Sequence, residues 1–72
     1  MTERKLAMDV EDSAEWTGIG CNTLRQLIAW EKIPTIRVGN KILIRTEDLE
    51  VFLEKNLGRN LRDREDVIGV IF

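Results

Sequence analysis

The chain has 72 residues, a net charge of −2, one cysteine and no histidine. Its 43% apolar and 33% charged residues suit one small folded domain, near the size below which a hydrophobic core no longer sustains itself. These counts exclude an intrachain disulfide and a zinc site within one chain, and they leave no imidazole for acid–base work at neutral pH.

There is no glycine-rich phosphate loop either, so no catalytic residue, metal ligand or cofactor is assigned, and the chain is not expected to be an enzyme. No apolar run approaches the roughly 20 residues needed to span a bilayer. The opening MTERKLAMD lacks the apolar region of a signal peptide, so a cytoplasmic location away from membranes is expected.

Residues 1–8 read as a loose lead-in. Asp9 suits a helix N-cap, with Glu11 and Asp12 in a first turn where carboxylates complement the helix dipole. A helix over about 10–17 then lines one stripe with Val10, Ser13, Ala14 and Thr17 and ends at Gly18. A second helix over about 21–30 restarts after Gly20, with Leu24, Leu27 and Ile28 as its buried face. At about 100° per residue, Asn22, Arg25, Gln26 and Ala29 gather on the opposite face, with no acid among them. Lys32, Ile33 and Pro34 close this helix, because a proline disfavours helical geometry in the residue before it.

Two β-branched runs follow, TIRV at 35–38 and ILIR at 42–45, around Gly39-Asn40. A two-residue loop pairs Val38 with Lys41 and sets Ile36 and Val38 on the opposite face from Ile42 and Ile44. A three-residue loop pairs Val38 with Ile42 and gathers all four on one face, which the apolar pattern favours. Arg37, Leu43 and Arg45 then point away from the core, with Asn40 and Lys41 at the tip. Thr46 caps a third helix whose expected core stripe is Leu49, Phe52, Leu53 and Leu57, and Gly58 stops it. Residues 59–66 are almost all charged, and 67–72 (VIGVIF) are abruptly apolar. The organisation expected is a single domain over 1–72, with its core at about 8–58 and a C-terminal tail at 59–72. Fold-back of Val67–Phe72 onto the domain and self-association through it are both open.

The charge is unevenly spread. Residues 20–45 carry Arg25, Lys32, Arg37, Lys41 and Arg45 against Glu31 alone, while both flanking arms are acidic. A basic centre on a helix followed by a hairpin points to phosphate contact, for which the local patch matters more than the total.

The element pattern is that of a mostly α domain with a small β-hairpin, a winged helix-turn-helix. The run MDVEDSAEWTGIGCNTLRQLIAWEKIPTIRVGNKILIRTEDLEVFL resembles the excisionase-type DNA-binding domain, whose helix-turn-helix is similar to that of MerR regulators. The resemblance rests on the acidic first helix, Gly18-Ile19, Thr23-Leu24, Leu27-Ile28, Lys32-Ile33-Pro34, Arg37-Val38-Gly39, Ile42 and Ile44. The chain departs from the family pattern at Trp16-Thr17, Gly20, Asn40 and Glu31, the last at a position where glycine is common. The resemblance implies sequence-specific double-stranded DNA binding, as a recombination directionality factor or small regulator of a mobile element, with an integrase or recombinase as partner. The alternatives are a transcriptional regulator, or a protein-interaction module of the same fold with little DNA affinity.

On this reading Asn22, Thr23, Arg25 and Gln26 start a recognition helix in the major groove, where Arg reads guanine and Asn or Gln reads adenine. The hairpin over 35–45 becomes a wing on the backbone or minor groove, with Arg37, Asn40, Lys41 and Arg45 as its contacts. Lys32 adds a phosphate contact. Cys21, Trp16 and Trp30 are read as packing or core-rim residues.

Overall fold

A computed structural model describes residues 5–70. The elements run β1 (Ala7–Asp9), α1 (Val10–Thr17), α2 (Cys21–Ala29), β2 (Ile36–Val38), β3 (Lys41–Arg45) and α3 (Thr46–Lys55). Three helices and a small antiparallel hairpin make a winged helix-turn-helix.

The hairpin is not alone. The lead-in contains β1, which pairs antiparallel with β3 and makes a three-stranded sheet of order β1-β3-β2. Three residues with one buried side chain, Met8, carry no periodic signature. The strand forms because β3 offers it a free edge and because Thr46 ties it down. The Thr46 N–H donates to the Leu6 carbonyl at 2.9 Å and its hydroxyl to the Lys5 carbonyl. Thr46 is therefore the first residue of α3 rather than its cap, which is Arg45.

The hairpin register also differs from expectation. Val38 pairs with Lys41, Arg37 with Ile42, and Ile36 with Leu43, so the loop is the two-residue Gly39-Asn40. Gly39 has φ +61° and Asn40 does not enter the left-handed region, the requirement of a type II′ turn, whose twist matches that of the strands. The apolar pattern does not set the register because β2 is an edge strand that packs chiefly on β3. The core side of the sheet is filled by Met8 and Ile44, with Ile42 at its margin. Ile36 and Val38 consequently lie on the outer face and are exposed, while Arg37 shares the inward face with Ile42 and remains exposed only through its edge position.

The turn between α1 and α2 is built locally. Gly18 caps α1 at φ +79°, donating to the Ala14 carbonyl at 2.9 Å. The Thr17 hydroxyl donates to the Ser13 carbonyl at 2.7 Å and accepts from the Ile19 N–H at 3.1 Å. Helix α2 ends before the proline can act. The Glu31 N–H donates to the Ile28 carbonyl at 2.9 Å and the Lys32 N–H to the Leu27 carbonyl at 3.0 Å. With Glu31 at φ +59°, this is a Schellman motif carrying a glutamate where glycine is preferred.

The core gathers Met8, Val10, Leu24, Leu27, Ile33, Ile44, Leu49 and Phe52, joined by Val67 and Val70 from the C-terminal segment. Leu53 and Leu57 do not complete the α3 stripe, being 38% and 80% exposed. The core-facing position in that last turn belongs to Asn56, which is buried. Its Nδ2 donates to the carbonyls of Phe52 (2.8 Å) and Ile68 (2.9 Å), and its Oδ1 accepts from the Ile68 N–H at 2.8 Å. An asparagine side chain thus pairs with one backbone residue as a strand neighbour does. The segment folds back as far as Val70, whose N–H donates to the Lys32 carbonyl at 2.9 Å. Ile71 and Phe72, the end of the apolar tail, lie outside the described residues.

Candidate nucleic-acid interface

Helix α2 is fixed from below by Leu24 and Leu27, both wholly buried, with Cys21 and Ile28 at the sides. The 3.6-residue repeat then turns Asn22, Arg25, Gln26 and Ala29 outward, and all four are exposed. Thr23 and Trp30 lie on the flank and are half-buried. An α-helix about 10–12 Å across with its side chains fits a B-DNA major groove roughly 12 Å wide.

The fold divides the outward face into two neighbouring depressions. One is lined by Arg25 of α2, Asn40 and Lys41 of the hairpin tip, and Asp9, Val10 and Glu11 where α1 begins. The Asp9 carboxylate is committed to capping α1, accepting from the Asp12 N–H at 2.8 Å, whereas Glu11 is exposed. The other is lined by Asn22, Thr23, Gln26 and Trp30 of α2, and by Leu61 and Arg62 of the C-terminal segment. Residues 14 or more apart in sequence thus converge on one helix.

The remaining basic positions are dispersed. Arg37 lies with Ile28, Glu31, Ile33, Pro34 and Thr35 beneath the C-terminal end of α2. Lys32 is half-buried at the junction with the C-terminal segment. Arg45 sits at the base of the hairpin, where its Nε and Nη2 both reach the Asp48 carboxylate at 2.8 Å. That carboxylate is only 9% exposed. The paired hydrogen bonds and then the charge of Asp48 raise the guanidinium's pKa above its ordinary value. Lys5 is held the same way by Asp12, whose hydrogen bond raises the ammonium's pKa.

Ion pairing therefore sorts the cations. Among the described residues Lys5, Arg45 and Arg59 are paired with Asp12, Asp48 and Asp66, while Arg25, Arg37, Lys41 and Arg62 make no ion pair. Arg62 and Glu11 were not singled out by periodicity, because one lies in an irregular loop and the other in a helix turn where an acid is unremarkable.

Among the described residues no group of side chains is arranged to hold a metal ion, and no helix is long and apolar enough to cross a membrane. A family model described as a helix-turn-helix domain matches residues 7–57. No curated protein matches the chain, and no solved structure does.

Proposed function

Because the chain belongs to the helix-turn-helix domain family, we propose that it binds double-stranded DNA sequence-specifically, as an excisionase-type directionality factor or small regulator of a mobile element. Helix α2 enters the major groove and the 35–45 hairpin lies on the adjoining backbone or minor groove. The observation that carries this reading is the convergence of Arg25, Asn40 and Lys41 on one depression, with both cations unpaired among the described residues while Lys5, Arg45 and Arg59 are held in ion pairs within the fold. In this arrangement Arg25 and its neighbours Asn22 and Gln26 reach base edges, and Lys41 meets a phosphate. One helix and one short wing bury little area, so occupancy depends on neighbouring copies or a recombinase partner.

Titrating duplex DNA across salt concentrations tests the proposal. Arg25→Ala should cost about 1–3 kcal/mol on the specific site and less on random DNA; equal loss on both would end the base-reading role. Lys41→Ala should weaken both uniformly and reduce the salt slope by about one, and an unchanged slope would remove the phosphate contact. One observation favours a second reading, a protein-interaction module of the same fold: exposed Glu11 shares the depression with the two cations. Absence of duplex binding even at low salt would favour that alternative.

A further inference from the structure

Helix α2 has two flanks, and only one faces the hairpin. At about 100° per residue, Thr23, Gln26 and Trp30 fall on the side away from Arg25, and that side is bordered by Leu61 and Arg62. We propose that the loop over residues 59–66 is a second DNA-backbone clamp, with Arg62 contacting a phosphate across α2 from Lys41. The proposal rests on the DNA-binding reading above and extends it to a segment beyond residues 7–57.

The loop is built to hold this arginine still. The Arg62 N–H donates to the Asn60 Oδ1 at 3.0 Å, and the Asp63 N–H to the Asn60 carbonyl at 3.1 Å. Leu61, just before it, packs half-buried against the core. Both ends of the loop are pinned, by Asn56 at the exit of α3 and by the buried Val67. Two of the loop's three acids bind groups other than the Arg62 side chain. Asp66 accepts from the Asn60 N–H at 2.6 Å and pairs with Arg59 at 3.4 Å. Asp63 accepts from the Glu65 N–H at 3.0 Å. Arg62 itself is exposed and makes no ion pair among the described residues.

The geometry of the target explains why a second cation belongs there. A helix seated in a major groove has a sugar–phosphate strand along each wall. The hairpin tip supplies Lys41 to one wall, and the opposite wall would go unmet without Arg62. Contacts of this kind fix register and orientation without reading bases.

The test uses the full chain and fluorescence anisotropy with labelled specific and random duplexes over a range of salt. Arg62→Ala and Arg62→Lys are compared with the parent, and thermal unfolding is followed to show that both retain the fold. Arg62→Ala should weaken both duplexes by a similar factor, about three- to tenfold, and flatten the salt slope by about one. Arg62→Lys should keep the parent slope. If Arg62→Ala leaves affinity and slope unchanged while Lys41→Ala weakens binding, the clamp is overturned and the DNA-binding reading stands. Tighter binding by Arg62→Ala would also overturn it, showing that the loop screens α2. A parent protein that binds neither duplex at low salt overturns both readings together.

Discussion

Replacing Asn56 by alanine should cost the domain about 3 kcal/mol, at roughly 1 kcal/mol net for each of three hydrogen bonds lost. Two of those bonds satisfy the Ile68 N–H and carbonyl, which the truncation deprives of this partner, and the third reaches the Phe52 carbonyl, which keeps the Asn56 N–H at 3.2 Å. A domain of this size holds about 4–10 kcal/mol in total, which makes this one side chain a large share of the whole. Urea denaturation measures the loss, and amide exchange at Ile68 locates it. A fall in the denaturant slope as well would show the C-terminal segment leaving the fold, since less surface is then buried in the native state. A loss below about 0.5 kcal/mol, within the range of an ordinary surface substitution, with the Ile68 amide still protected would refute the idea that Asn56 anchors this segment.

Two further substitutions act on stability in the opposite direction. The Ser13 hydroxyl is wholly buried and has no hydrogen-bond partner among the described residues. Ser13→Ala removes an unsatisfied group and improves helix propensity, so it should stabilise by about 1 kcal/mol in the same urea assay; a loss of stability would mean that the hydroxyl is satisfied after all. Glu31→Gly relieves a left-handed residue and removes an acid from the negative end of α2, offset in part by glycine's greater unfolded-state entropy. A net gain of about 1 kcal/mol should raise the melting temperature by about 4–8 °C; no rise would contradict the strain at φ +59°.

Most of the helical architecture could be read from side-chain chemistry. Asp9 does cap α1, Gly18 does end it in the left-handed region, and Leu24 and Leu27 do face the core. These features depend on neighbours within a turn or two, so their physics is local. The third strand could not be read, because Ala7–Asp9 is extended only through pairing with β3 and the tether to Thr46. The hairpin register was misjudged for a related reason: hydrophobic alternation assumes that each strand covers the core, and β2 does not. Nor did the Leu57 position reveal that α3 ends at Lys55 and that an amide replaces an apolar residue there.

The candidate interface shows the same division. That Asn22, Arg25 and Gln26 share a helix face follows from spacing alone, as does the tip position of Asn40, whereas Lys41 opens β3 opposite Val38 instead of riding in the loop. Which cations remain available does not. Arg45 and Lys41 are both exposed basic residues of one strand; Asp48, three residues on in the first turn of α3, engages the first, and only the folded chain brings Arg25 beside the second. Likewise only folding brings Arg62 to α2, because the loop that carries it is positioned by Asn56 and by two valines in the core. Sequence by itself determined the helix-turn-helix and the residues its second helix displays, since those obey short-range periodicity and capping. Tertiary structure decided the pairing of β1 with β3, which strand covers the core, and which residues stand beside Arg25 and Arg62, since those are set by contacts between distant segments that no local pattern encodes.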